Sequence, residues 1–172
     1  MINIYLSDLR VGCKEAHVDH TWALVLQFYF PVERFYSVER ESYKEPASAK
    51  RIDISLVAIR SGTAQKLLFM ECKRPAKDDQ PADRQWTLAT KKLRDYMVDS
   101  PSRIPNRTIY GIVGIGKQVR FFQLVPGASE LAPYQGAQQI ATGNQDTFSL
   151  SQTSTIHGIF QRLRQDIPAV AI

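Results

Sequence analysis

Three ionisable residues stand where apolar ones would pack better: Asp53 inside "RIDISLV", and Glu71 and Lys73 at the end of "KLLFMECK". Side chains alternate along a strand, so Glu71 and Lys73 share a side, while Ile52 and Ile54 fall opposite Asp53. An unpaired buried charge costs several kcal/mol even after relaxation, so two carboxylates carried by neighbouring strands demand compensation, either from Lys73 or from a metal cation, of which a divalent ion is the more efficient. Mg2+, or Mn2+ in its place, suits hard oxygen ligands, keeps several waters and is commonly held by one or two carboxylates beside a phosphate. Asp53, Glu71 and the backbone carbonyl of Cys72 would form such an incomplete cage. Lys73 would orient or help deprotonate a water and offset charge developing at phosphorus. That chemistry is the hydrolysis of a phosphodiester.

Bringing these groups together takes adjacent strands held by helices. Residues 13–30 carry Trp22, Val25, Leu26 and Tyr29 at helical spacing before Pro31 stops them. Strands are expected at 34–43, 51–60 and 64–73, the last two joined by a turn at "SGT". Trp86, Ala89, Leu93 and Met97 predict a helix over 84–98, with an aspartate just before it placed to cap. Two strand-like runs over 108–125 meet at Gly116-Lys117. The stretch 126–150 reads as a long loop with a short strand near Phe148, and 153–167 as a closing helix with Ile156, Ile159, Phe160 and Leu163 on one stripe. This order implies an α/β fold with a mixed central β-sheet flanked by helices on both faces.

Asp53 after an apolar approach, a turn, then Glu71-x-Lys73 at the end of the next strand resembles the signature of the PD-(D/E)XK nuclease superfamily, the restriction-endonuclease-like fold. Ile52 stands where the family name has proline. The likeness spans about residues 13–125, and "FMECKRP" followed by a helix and "GIVGIGKQVRFFQL" is similar to stand-alone nuclease-like proteins of fungi. The resemblance implies a metal-dependent nuclease, with DNA the expected substrate; a homodimer is one option for cutting both strands, and the sequence does not decide it. It also implies an acidic residue on the first helix, for which Glu15 is the candidate and Glu33 the reserve. A Gln-xxx-Tyr pair belongs on the helix after the Glu-x-Lys strand; Tyr96 fits the tyrosine, and Lys92 stands in the glutamine's place. Gln85, Lys92 and Tyr96 share one helical stripe, expected to face substrate. Arg74, Lys77 and Lys92 are expected to steady backbone phosphates, within a basic cluster that continues through Arg84, Lys91 and Arg94.

Composition is compatible with this and excludes other classes. A chain of 172 residues, 44% hydrophobic and 23% charged, suits one compact domain. Lys and Arg outnumber Asp and Glu by 22 to 17, which favours a polyanionic partner. Cys13 and Cys72 alone provide no disulfide framework, so an intracellular setting is expected. No secretion signal and no run of about 20 apolar residues is apparent, so no membrane partner is expected. His17 and His20 lack a third ligand and read as an exposed helical turn; His157 is isolated. "GIVGIGKQ" nearly spells a phosphate-binding loop, but Gln118 replaces the hydroxyl residue, so a hairpin is expected. The Cys72 side chain reads as a small buried group opposite the active face. Two rival readings of the same scaffold are a nucleic-acid binder without catalysis and a protein-interaction module whose charged strand end is structural.

Overall fold

The computed structural model describes residues 9–10, 12–43, 51–60, 63–75, 81–100, 106–141 and 145–167. Helix α1 (Glu15–Tyr29) and a 3-10 turn (Val32–Arg34) precede strands β1 (Tyr36–Tyr43), β2 (Arg51–Arg60) and β3 (Thr63–Lys73). Helix α2 (Asp83–Val98), β4 (Ile109–Ile115) and β5 (Gln118–Leu124) follow. Then come β6 (Ala132–Pro133), α3 (Gln135–Ile140), β7 (Phe148–Ser149) and α4 (Thr153–Asp166).

The strands form one mixed sheet in the order β1-β2-β3-β4-β5-β6, with β7 also on β5. All neighbours are antiparallel except β3 and β4, which run parallel with Glu71 beside Val113 and Cys72 beside Gly114. A parallel pair needs a crossover, and α2 supplies it. Helices cover both faces. On one, Trp22, Leu26 and Tyr29 of α1 and Ile159, Phe160 and Leu163 of α4 pack on Ile54, Leu68, Met70 and Cys72. On the other, Trp86, Ala89, Leu93, Tyr96 and Met97 of α2 pack on Ile52, Phe69, Val113 and Ile115.

Several expectations need correction. Ile52 and Ile54 do not share a face: Ile52 joins the α2-side core and Ile54 the α1-side core. The backbone pairing of β2 with β3 begins only at Ile54 and Met70, whereas β1 stays paired with β2 through Ile52 and Arg51, so Ile52 lies where β2 has a backbone partner on one side only. A bulge also interrupts this pair, since Leu56 faces Leu68 and Val57 faces Lys66, leaving Leu67 unpaired. The stretch expected as a long loop contains α3 and β6. Arg34, expected to begin the first strand, belongs instead to the 3-10 turn, and β1 starts at Tyr36. Asp83 does not cap α2: it is the first helical residue, and Ala82 holds the cap position without a side-chain bond.

The two glycines of "GIVG" act by close approach rather than by binding phosphate. A Cβ on Gly114 would lie 2.8 Å from Trp22 Nε1, so its bare backbone lets α1 settle on the sheet. Gly111 does the same for α2, beneath Leu93 and Met97. At the hairpin, Gly116 has φ +54° and its N–H donates to the Lys73 carbonyl at 3.0 Å. The hairpin tip therefore braces the end of β3.

Candidate active site

The end of β3 gathers charge from four elements. Asp53 sits where β2 parts from β3, and its Oδ2 accepts the Cys72 N–H at 2.6 Å. A side-chain carboxylate thus takes a backbone donor just beyond the last β2–β3 backbone pair. Glu71 projects toward α2 and is fully buried. Its Oε1 lies 2.6 Å from Lys73 Nζ, and Lys92 Nζ lies 2.8 Å from each of its oxygens. Lys92 Nζ is also 3.9 Å from Asp53 Oδ1, so one ammonium touches both carboxylates. Lys73 Nζ further donates to Glu15 Oε1 at 3.0 Å and to the Cys72 carbonyl at 2.9 Å. The sequence candidates Asp53, Glu71, Lys73, Glu15 and Lys92 therefore converge, and Glu33 lies apart on the exposed 3-10 turn.

Electrostatics follow from burial. Burial raises the Glu71 carboxyl above its ordinary range and Asp53 adds repulsion, while the ammoniums of Lys73 and Lys92 pull the other way. For Lys73, burial opposes the charge, but bonding to Glu71 outweighs it, with Glu15 and Asp53 assisting. The net effect holds its ammonium above the ordinary lysine range. A lysine so held donates hydrogen bonds and positive charge; it does not take up a proton. Burial, then the nearby carboxylates led by Asp53, pushes the Cys72 thiol well up, which removes it as a nucleophile.

The sequence missed one partner of this cluster. Asp19, one turn after Glu15 on α1, is 7% exposed and accepts Arg40 of β1 at 2.7 Å. Burial raises its carboxyl against the pull of Arg40, and Asp53 adds repulsion, so it belongs to the same electrostatic cluster. "HVDH" is thus not simply an exposed turn: His17 and His20 are exposed, but the aspartate between them points inward. The i, i+4 spacing of Glu15 and Asp19 was the available signal.

Other candidates behave differently from expectation. Tyr96 is buried in the α2-side core, its ring 5.1 Å from Phe69, so it does not face substrate. Gln85 Nε2 donates to the Arg74 carbonyl at 3.1 Å, fastening the start of α2 to the end of β3. Along this stripe of α2, Tyr96 is buried and Gln85 bonds the Arg74 carbonyl, while Lys92, 44% exposed, reaches Glu71. In the basic cluster, Lys91 pairs with Asp95, and Arg94 with Asp95 and Glu130. Arg74 and Arg84 are exposed. Lys77 lies outside the described residues.

Among the described residues, no three His, Cys, Asp or Glu side chains form a metal-binding group. The fit of a divalent cation rests instead on Glu71 Oε2, which is buried and has no hydrogen-bond partner among the described residues. The Lys92 ammonium lies within 2.8 Å of that oxygen, at ion-pair distance only. With Asp53 alongside, this is a hard-oxygen donor pair suited to an ion that retains its waters. The Cys72 carbonyl, expected as a third ligand, is already bonded by Lys73.

No described helix is long and apolar enough to cross a membrane. No family model, curated protein or solved structure matches the chain.

Proposed function

We propose that the chain is a metal-dependent nuclease of restriction-endonuclease-like fold that hydrolyses phosphodiester bonds, with DNA as its substrate. One observation carries the reading: Asp53 and Glu71, from neighbouring strands, lie within reach of a single ammonium, 3.9 Å and 2.8 Å from Lys92 Nζ, with Lys73 bonded to Glu71. In this reading Asp53 and Glu71 hold Mg2+ or Mn2+, which supplies Lewis-acid polarisation of a phosphoryl oxygen when bound. Lys73, held charged, positions a water and stabilises negative charge developing at phosphorus. Deprotonating that water is not its task, because its ammonium is already saturated with protons. Glu15 orients Lys73 through their 3.0 Å bond. Arg74 and Lys92 steady the phosphates of the strand being cut.

A rival reading, a nucleic-acid binder without catalysis, draws support from Lys92, whose ammonium already lies at the carboxylates a metal would need. The two separate in one experiment. Circular and linear DNA and RNA are incubated with the purified chain in Mg2+ or Mn2+, then in chelator, beside Lys73→Ala and Asp53→Asn. Metal-dependent cleavage that both substitutions abolish supports the nuclease; substrates left intact under every condition, yet still bound, support the rival. If two copies act together, circular duplex DNA passes directly to linear product; if one acts alone, nicked circles accumulate first.

A further inference from the structure

We infer that Lys92 is a built-in counter-ion occupying the cation's place at Glu71 and Asp53, and that a divalent metal displaces it. The inference rests on the nuclease reading and concerns how that site is loaded. Lys92 Nζ stands 2.8 Å from each Glu71 oxygen and 3.9 Å from Asp53 Oδ1. A hard cation shared by the two carboxylates needs the same position. Glu71 is buried without solvent access and its Oε2 lacks a hydrogen bond among the described residues, so it needs a nearby positive charge whether or not metal is present.

The two lysines are not equivalent. Lys73 is 27% exposed and tied to Glu71, Glu15 and the Cys72 carbonyl. Lys92 is 44% exposed and approaches from α2, so its flexible stem can carry the ammonium into solvent without unpacking either core. Charge balance favours exchange. Glu15, Asp53 and Glu71 present three negative charges to the two ammoniums, leaving one in excess. Replacing Lys92 by a divalent ion brings the balance to zero, while retaining both leaves a positive excess. The displaced ammonium lies beside the site, free to take a substrate phosphate. Metal and phosphate binding then support one another, since each removes the other's competitor.

Mn2+ binding to the full chain, measured by isothermal titration, tests this directly. Lys92→Met keeps the length of the side chain and removes its charge, and its Mn2+ dissociation constant is expected to fall at least tenfold. Lys91→Met removes a like charge one position away, where the lysine pairs with Asp95 at 2.6 Å, and is expected to stay within twofold of wild type. An unchanged or weaker affinity in Lys92→Met, an equal gain in Lys91→Met, or no Mn2+ binding by either protein overturns the inference. Should Lys92→Met not fold, the wild type decides: the Lys92 Cε–Hε NMR cross-peak, assigned with Lys92→Arg, must shift along the Mg2+ titration. A signal that stays fixed while Mg2+ binds overturns the exchange. Cleavage is assayed separately, so the two ideas fail separately. Cleaving wild type with no affinity gain in Lys92→Met sinks the exchange alone; the gain without any cleavage sinks the nuclease.

Discussion

At the scale of single residues, Glu71 decides the behaviour of the site. It is a buried carboxylate between two ammoniums, and its folded-state carboxyl is raised above the ordinary 4.5 by burial and by Asp53. Between the ordinary value and the raised one, the folded chain keeps a proton that the unfolded chain releases. Its contribution to stability is fully present below the ordinary value and declines as pH rises through the raised one. Lys73 has the opposite chemistry and its own window: its contribution persists below the ordinary 10.5 and is lost only as pH climbs through the higher folded value. Urea midpoints of wild type and Glu71→Gln, compared in chelator from about pH 4 to about pH 8, should differ by an amount that changes with pH. A constant difference would mean that Glu71 titrates as in the unfolded chain. Lys73→Ala leaves Glu71 with Lys92 alone; it should cost about 1–3 kcal/mol of stability together with all cleavage.

At the scale of elements, the sequence carried the strand pair that bears Asp53, Glu71 and Lys73 and lost the details that depend on departures from regularity. β2, β3 and α2 were legible because their apolar runs and helical stripes are long and their breakers clear. The packing of Ile52 was not, since Ile52 lies on the part of β2 before Ile54 that does not pair with β3. α3 was not legible either: "QGAQQI" is too short for a periodic signal and contains a glycine. Asp19 was hidden because its partner, Arg40, belongs to another element. That pair now makes a prediction. Arg40→Ala strands a 7%-exposed carboxylate near Asp53, and should cost about 1–3 kcal/mol in chemical denaturation, with Asp19→Asn in the same background restoring part of it. A loss below about 0.5 kcal/mol would class the pair with ordinary surface bridges. Gly114→Ala tests the seating of α1. Its Cβ would stand 2.8 Å from the rigid Trp22 indole, so overpacking should cost about 1–3 kcal/mol and shift Glu15 away from Lys73.

At the scale of the whole molecule, an excess of basic residues says little until the pairs are subtracted. The chain carries a formal charge of +5, yet Lys91 and Arg94 are engaged by Asp95 and Glu130. Arg74 is exposed, and its backbone carbonyl is fixed by Gln85 at the end of the strand that bears Glu71 and Lys73. If the charge serves a phosphate backbone, these residues cannot contribute equally. A free cation that contacts a phosphate releases a counter-ion on binding, whereas one already neutralised by a carboxylate exchanges partners and releases little. The slope of log affinity against log salt for duplex DNA, measured in chelator to prevent cutting, should therefore become shallower by about 1 in Arg74→Ala. It should hardly change in Arg94→Ala, although both lose one positive charge. Equal slopes for the two variants would mean that net charge alone draws the polyanion, with no oriented track leading to Asp53 and Glu71.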